Sequence, residues 1–358
     1  MSAGRPMSAV PIAIARAGLV TGVGLDTAAS CAAIRGAIDN FQQTGFRDTA
    51  GEWLMGCEVA LPQAWRGEKK LVKMAARAVS QCLAGLDRAA CEEMPLLLCL
   101  PEAERPGRLV PDDARFFEAL EDELGLRFHE RSSLVAQGHV SVAVALLQAR
   151  QLIDAARMPR VLVVAADSML SGATLADCEA RDRLLTSENS DGFIAGEGAA
   201  ALLVQPLHAQ AGPQLVCRGL GFALEHAHID SEEPLRADGL TEAIRQSLRE
   251  AACGESILDF KIIDASGGQY AFKEATLAFG RLDRTKRSEF DVWHPADCIG
   301  EVGAPIGAVM IAVLKAACEK AYARGANALL HLGNDDGRRA AMVFSWHADG
   351  VGGAGGGG

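Results

Sequence analysis

The sequence predicts an α/β protein made of two similar halves. Apolar runs of strand length alternate with longer helical segments along the 358 residues. The order of loop, buried helix, strand, glycine-containing turn and strand occurs twice, about 160 residues apart. Aromatic residues make up 5% of the chain, and this composition favours helices packed closely on sheets. We therefore expect two sheets with helices around and between them.

The first predicted elements are a strand and a capped helix. Ile12 to Val20 is a mostly apolar run, and Thr21 to Gly24 has the composition of a turn. Asp26 or Thr27 can cap a helix from Ala28 to Arg35, because either side-chain oxygen can accept a hydrogen bond from a free helix amide.

The next helix, predicted from Lys69 to Leu86, has one apolar side and one basic side. The basic side carries Lys69, Lys70, Lys73 and Arg77. Such a face could meet an acidic carrier protein, so the three lysines are candidate partner-binding residues. A solvated helix face accounts for the same pattern.

The middle of the first half is predicted to be largely buried. Met94 to Leu100 is a strand of apolar residues, and Asp112 to Leu124 is a helix whose acidic start suits the helix dipole. A loop from Ser132 to His139 then leads into a buried helix from Val140 to Ala156. A buried strand, Val161 to Ala166, follows.

A glycine-rich segment ends the first half. After a loop from Ser168 to Ser190, three glycines suit a tight reversal of the backbone: Gly192, Gly196 and Gly198. The run from Ala199 to Val204 is unbroken and apolar, which indicates a strand covered on both faces.

The second half repeats this order. Cys298 to Gly303 leads into a helix from Ala304 to Arg324, and Ala326 to His331 is a strand. Gly333 to Gly337 is a turn, and Ala340 to Trp346 closes the half. We place the N-terminal half at residues 1–210, the C-terminal half at 211–347, and a flexible glycine-rich tail at 348–358.

Charge and composition exclude several classes of function. The net charge of −11 argues against a nucleic-acid partner. No apolar run approaches the ~20 residues that span a bilayer, and Met1 to Met7 is expected to be a loose leader. The ten cysteines are scattered without a metal-binding spacing. We expect reduced thiols, a cytoplasmic location, and neither metal nor cofactor.

The glycine-rich segment carries a family resemblance. Asp191-Gly-Phe-Ile-Ala-Gly-Glu-Gly-Ala199 resembles the signature of the β-ketoacyl synthases, which have the thiolase fold. The opening strand, turn and helix resemble the start of the same family, and the resemblance covers Ile12 to Trp346. It implies a thiolase-like fold, with duplicated α/β halves in an αβαβα layered arrangement.

The resemblance also implies a catalytic cysteine, which this chain lacks at that place. The nucleophile belongs just before the buried helix, where the family's Ala-Cys pair matches Ala136 and Gln137. Other registers put Ala136 or Val135 there. No cysteine occurs between Cys99 and Cys178, so none of the three registers supplies a thiolate.

The other catalytic residues implied by the family are replaced as well. Ser266 stands at the position of the first histidine. Glu301 replaces the second histidine and Ala296 replaces the lysine, while the run Gly333 to Gly337 lacks the family's hinge phenylalanine. Condensation would lack both its acyl acceptor and its oxyanion support.

Two histidines lie near these positions in sequence, His139 and His294. A group formed by His139, Gln137 and Glu301 could perform acid–base work. The same residues also have an explanation without chemistry. His139 can be a structural histidine whose hydrogen bonds are satisfied, Gln137 can fill the old pocket, and Glu301 can suit the start of a helix. Gln137 and His139 are therefore candidate ligand-binding residues.

The resemblance implies a catalytically degenerate protein whose role is to bind or scaffold other molecules. It implies a homodimer, or a heterodimer with an active ketosynthase-like homologue, as for chain length factors of polyketide synthases. One alternative is decarboxylation of a malonyl-carrier through Gln137. Another is an adaptor that holds a secreted effector protein. An acyl carrier protein is a further possible partner.

Overall fold

The computed structural model describes residues 10–208, 212–282 and 290–348. The predicted leader, Met1 to Met7, lies outside the described residues. Of the predicted tail, residues 349–358 also lie outside them. The boundary at residue 210 also falls outside them, so the division there stays a prediction.

Twelve strands are formed by the described residues, seven before residue 210 and five after it. The first seven are β1 (Ile12–Thr21), β2 (Gln42–Arg47), β3 (Trp53–Cys57), β4 (Leu96–Leu100), β5 (Ser133–Ala136), β6 (Val161–Ser168) and β7 (Ala195–Pro206). The last five are β8 (Gln214–Leu224), β9 (Phe260–Ile263), β10 (Val292–Trp293), β11 (Asn327–Gly333) and β12 (Arg338–His347).

The described α-helices alternate with these strands. Those of the first half are α1 (Thr27–Arg35), α2 (Gly67–Leu83), α3 (Arg88–Glu92), α4 (Asp113–Leu124), α5 (Ser141–Asp154) and α6 (Gly172–Ala180). Those of the second half are α7 (Asp238–Glu250), α8 (Gln269–Leu282), α9 (Ala296–Ile299) and α10 (Ile306–Glu319). Of the described helices, none combines the length and apolar character needed to cross a bilayer.

The two halves have the same strand order. It runs β1-β7-β6-β4-β5 in the first half and β8-β12-β11-β9-β10 in the second. In each half the first three strands of this order pair antiparallel and the last three pair parallel. The duplication predicted from the order of elements is therefore present in the sheets.

The sheets of the two halves are joined, which differs from the prediction of two separate sheets. Ile12 to Ile14 of β1 pair antiparallel with Leu215 to Cys217 of β8. A central strand offers two edges for pairing, and hydrophobic periodicity does not indicate which neighbour uses each edge.

The helices complete five layers. Helices α5 and α10 pack in the middle, in one core that contains apolar residues from strands of both halves. Helices α2 and α4 cover the outer face of the first half, and α7 and α8 cover the outer face of the second. The order helix, sheet, helix, sheet, helix confirms the predicted αβαβα arrangement.

The glycine-rich segment is a strand where the sequence predicted a tight reversal. Gly196 and Gly198 lie inside β7. A Cβ on Gly196 would lie 2.2 Å from the carbonyl oxygen of Ile299, and one on Gly198 would lie 3.1 Å from that of Val20. These glycines therefore permit close approach of neighbouring backbone within an extended strand.

Two predicted loops contain regular structure. The loop from Ser168 to Ser190 includes α6, whose N-cap residue Ser171 accepts a hydrogen bond from the amide of Thr174. The loop from Ser132 to His139 includes β5. Both elements are short, and strand β5 has only four residues, so their periodicity is too brief to be recognised in sequence.

Candidate functional site

A cavity of about 1000 Å³ is lined by residues from both halves. His139 enters it from the turn before α5, and Asp264 and Ser266 enter it from the end of β9. Glu301, between α9 and α10, and His331, on β11, complete the inner part. The layered fold thus brings together side chains that are far apart in sequence.

His139 is held between two carboxylates. Its Nε2 lies 2.8 Å from Oε1 of Glu301, and its Nδ1 lies 3.3 Å from Oδ2 of Asp264. Asp264 also accepts a hydrogen bond of 2.7 Å from the amide of Gly333. We call His139, Asp264 and Glu301 the histidine clamp.

The clamp keeps its histidine protonated. Burial alone would lower the pKa of His139, but the charges of Glu301 and Asp264 outweigh that effect and hold the pKa well above its usual value. An imidazolium has two N–H donors and no free lone pair. His139 is therefore unsuited to act as a general base near neutral pH.

Glu301 is held in its ionised form. Burial would raise its pKa, yet the charge of His139 and hydrogen bonds to the carboxylate lower it to about 2. The hydroxyl of Ser266 donates at 2.7 Å and the amide of Gly303 donates at 2.8 Å. Ser266 thus points at the carboxylate and not at the imidazole, an arrangement that does not activate its hydroxyl as a nucleophile.

A glycine allows the turn that carries His139. Gly138 has φ of 58°, in the left-handed region. A Cβ at this position would lie 1.8 Å from a carboxylate oxygen of Glu102, another residue of the cavity lining. Burial raises the pKa of Glu102, while His139 acts in the opposite direction.

Gln137 is held through its backbone. Its amide donates to Oγ of Ser141 at 2.9 Å, and its carbonyl accepts from Nδ2 of Asn334 at 2.8 Å. The cavity lining includes Ala136 and His139 on either side of Gln137, but not Gln137 itself. The structure therefore gives no support to an acid–base group of Gln137 with His139 and Glu301, which the sequence left open beside a structural role.

The remaining predicted site positions fall into two groups, those that line the cavity and those that do not. Ser266 and Glu301 line the cavity, whereas Ala296 is buried in α9 and is not part of the lining. His294 also lies outside the lining, where its Nδ1 is 2.7 Å from Oδ2 of Asp297.

The predicted basic face of α2 is not one continuous exposed surface. Lys70 is buried, with its Nζ 2.7 Å from Glu58 and 2.5 Å from Glu197. Nζ of Lys73 lies 2.6 Å from Glu123, and Lys69 remains exposed. The helical spacing was read correctly, but sequence periodicity did not reveal the carboxylates that pair with these lysines.

Several residues of the site were not singled out from sequence. Asp264 directly follows a buried strand, and His331 interrupts an apolar one, so both left a recognisable signal. Arg339 gave no such signal: its Nε lies 2.8 Å from Glu274, and its Nη2 donates to the hydroxyl of Tyr270 at 3.0 Å. This contact depends on the packing of α8 against β12.

Asp167 and Arg105 form a second buried pair beside the cavity. Nη1 of Arg105 donates to Oδ2 of Asp167 at 2.7 Å, and Nη2 donates to Oδ1 at 2.5 Å. The amide of Ala304 donates to the same carboxylate at 3.1 Å. Gly303 has φ of 67°, and a Cβ there would lie 2.0 Å from Asp167. The pair therefore fixes the segment that carries Glu301.

No protein-family model and no curated protein matches this sequence, but solved structures do match the chain. AntDE:AntF, a type II PKS acyl-carrier protein in complex with its ketosynthase, has a TM-score of 0.77 and 14% identity, covering 94% of this chain and 99% of that one. The ishigamide ketosynthase/chain length factor has a TM-score of 0.76 and 16% identity, with the same coverage. The ketosynthase ApeO in complex with its chain length factor ApeC, from Xenorhabdus doucetiae, has a TM-score of 0.73 and 10% identity, covering 97% of this chain and 100% of that one.

The fold is that of the ketosynthases. The similarity extends over nearly the whole of each chain, so it includes both halves. The ketosynthase fold expected from the Asp-Gly-Phe-x-x-Gly-Glu-Gly-Ala segment is thus confirmed.

One thiol contributes to the lining of this cavity within the described residues, that of Cys178. Burial raises the pKa of the Cys178 thiol to about 11, and the nearby charge of Arg181 offsets only part of this effect. Since the thiolate is the reactive form, Cys178 is a poor nucleophile at neutral pH. It also lies on α6, far in sequence from the turn before α5.

Proposed function

We propose that this protein is a non-condensing ketosynthase-like subunit that acts by binding a partner. The observation that carries the proposal is the histidine clamp, which occupies the inner cavity where condensation requires a thiolate and uncommitted imidazoles. A clamped imidazolium accepts no proton, and Cys178 is held as a thiol. The fold is retained, while the described part of the cavity lining supplies no thiolate to its histidines.

The surface we propose for the partner is the free edge of β5. This strand ends the sheet of the first half, and within the described residues it pairs only with β4. An edge strand presents unpaired N–H and C=O groups that another chain can extend. Leu134, in the middle of the strand, is 40% exposed and adds apolar surface.

The partner we favour is a ketosynthase-like homologue. Two of the similar structures are a ketosynthase with a chain length factor, which supports a heterodimer in which this chain takes the non-condensing place. A homodimer through the same edge is the alternative. An acyl carrier protein is a further candidate, since one is present in AntDE:AntF.

Two other functions have less support. Decarboxylation of a malonyl-carrier through Gln137 would require that side chain in the cavity, and it is not among the lining residues. An adaptor for a secreted effector would need no chemistry, but no feature of the cavity or of β5 favours such a partner over a homologue. We place the protein in the cytoplasm, which suits its ten free cysteines, all but Cys253 buried.

The test of this proposal compares Leu134→Arg with Leu224→Arg. Both leucines are exposed, but Leu224 ends β8, away from the proposed interface. Light scattering after size exclusion should give a dimer for the wild-type chain, alone or with a ketosynthase co-expressed from the same host. We expect Leu134→Arg to weaken the dimer by about tenfold or more, because a buried unpaired charge opposes association.

Leu224→Arg is expected to leave the dimer intact. A wild-type chain that stays monomeric both alone and with every ketosynthase of its host would refute the proposal. Equal loss of association in the two variants would show that β5 is not the interface.

A further inference from the structure

The inner cavity carries more negative than positive charge. Glu102, Asp264 and Glu301 all line it. His139 supplies one positive charge against the two carboxylates of the clamp, and Glu102 forms no ion pair within the described part of the chain. An anionic group that entered here would meet uncompensated carboxylates.

The arginines of the inner cavity are already neutralised. Arg105 makes two hydrogen bonds to Asp167, and Arg339 makes two to Glu274. A guanidinium engaged in this way has little capacity left for a second carboxylate. Neither arginine is therefore available to bind the carboxylate of a malonyl unit.

The outer part of the cavity also has more carboxylates than guanidinium groups. Arg181 lies 2.7 Å from Asp177 and 3.4 Å from Asp230, and Arg183 also pairs with Asp230. Asp335 lies 3.6 Å from Arg181 and 4.0 Å from Arg183. Carboxylates thus outnumber the guanidinium groups that they face, and the path to the clamp attracts cations.

An unpartnered histidine provides an independent sign of a ligand. His331 lines the cavity, is 5% exposed, and its ring forms no hydrogen bond or ion pair among the described residues. Burial, together with Lys261 and Arg339, lowers the pKa of His331 to about 4, against the effect of Asp264. The neutral ring therefore offers one free N–H donor and one free acceptor nitrogen. Because the ring lines the cavity, a molecule bound there can supply the missing partner.

We infer that the cavity binds a small organic cation, an ammonium or guanidinium compound with an apolar chain, in place of an acyl or malonyl group. The cationic end would lie among Glu102 and the clamp carboxylates, and it could donate to the free nitrogen of His331. The cavity volume of about 1000 Å³ is ample for such a molecule. This inference goes beyond the proposed function, because it concerns the cavity and needs no partner subunit.

The test uses three probes of equal chain length and different charge. Isothermal titration calorimetry of the purified full chain would measure binding of 1,8-diaminooctane, 1,8-octanediol and suberate. We expect saturable binding of the diamine, about tenfold or more tighter than the diol, and no measurable binding of suberate. Absence of diamine binding, or suberate binding as tight as the diamine, would overturn the inference.

Two variants and a control locate the site. Glu102→Gln removes a carboxylate and should weaken diamine binding about tenfold, while His331→Phe should weaken it about threefold to tenfold. Asp154→Asn removes an exposed carboxylate outside the cavity lining and should leave binding unchanged. Circular dichroism would establish that each variant is folded.

The outcomes separate this inference from the proposed function. Equal weakening by all three variants would mean that the diamine binds through general surface charge, and would contradict a cavity site. The light-scattering test of Leu134→Arg probes the β5 edge at a residue that is not among those lining the cavity. Either idea can therefore fail while the other stands.

Discussion

At the scale of single residues, the histidine clamp decides what the cavity can do. Asp264 and Glu301 bind both nitrogens of His139, so the ring is fixed in position and in charge. The same carboxylates that make the imidazole useless as a base also make it a source of stability. The contribution of His139 to the free energy of unfolding should therefore depend on pH, in a direction set by the raised pKa of this histidine.

We expect His139→Gln to destabilise the protein by about 2–4 kcal/mol at pH 6, because two partly buried carboxylates lose their cation. The folded pKa of His139 is raised above the unfolded value, so its stabilising effect is complete below about pH 6.5 and is lost as pH rises through the folded pKa. Urea unfolding of wild type and variant from pH 6 to pH 10 would measure the difference, which should shrink towards the alkaline end.

The control for this experiment is His294→Gln. The partner of His294, Asp297, has a side chain that is 61% exposed, so the loss of this pair should change stability by less than about 1 kcal/mol. A His139→Gln penalty that grows with rising pH would contradict the assignment of a protonated clamp.

At the scale of elements, glycines set how closely the backbone segments of the site approach one another. Gly196 of β7 lies against the carbonyl of Ile299, just before Glu301. The strand therefore positions the segment between α9 and α10, and with it one carboxylate of the clamp.

We expect Gly196→Ala to destabilise the protein by about 2–3 kcal/mol, because the new methyl group would overlap the carbonyl oxygen of Ile299. Gly280→Ala is the matched control. Gly280 lies in α8 with no heavy atom within 4 Å of its ideal Cβ, so this change should stabilise by about 0.5–1 kcal/mol.

Thermal or urea unfolding of the two glycine variants would measure both effects. If Gly196→Ala were tolerated as well as Gly280→Ala, the close packing of β7 against the segment before α10 would be disproved.

Many of the elements could be predicted from sequence where a long apolar pattern marks them, but the long elements β8, α7 and α8 of the second half were not predicted. The buried strands β4, β6 and β12 and the helices α4 and α5 were recognised within a few residues of their ends. Elements of the edge and rim, such as β5 and α6, were missed because each is short and lacks a marked apolar pattern. A local pattern also cannot indicate that β1 and β8 pair.

The site was predictable only in part, for a different physical reason. Ser266 and Glu301 were placed by the family motifs that their surroundings resemble, and the structure brings both to the cavity. Gln137 was assigned to the cavity, but the residues that line it are Ala136 and His139, one and two positions away. A single backbone turn at Gly138 decides which of these side chains faces inward, and the sequence pattern does not reveal that turn. The pairing of Arg339 with Glu274 depends on tertiary packing.

At the scale of the whole molecule, a ketosynthase fold surrounds a cavity whose described lining has more carboxylates than guanidinium groups. The two halves keep their duplicated sheets and central helices, and the free edge of β5 is available for a partner. Of the positions singled out from sequence, Ser266, Glu301 and His139 line the cavity between the halves. The binding role that we propose would use this fold without the condensation reaction.

The most direct measurement of the central claim is transfer of an acyl group to the protein. Purified protein would be incubated with acyl- and malonyl-loaded carrier protein, beside an active ketosynthase as a positive control. Intact-mass spectrometry would detect a thioester, and a trapping assay would detect carbon dioxide. We predict an unchanged protein mass and no carbon dioxide above the blank. An acyl adduct on Cys178, or carbon dioxide release that Gln137→Ala abolishes, would contradict the account.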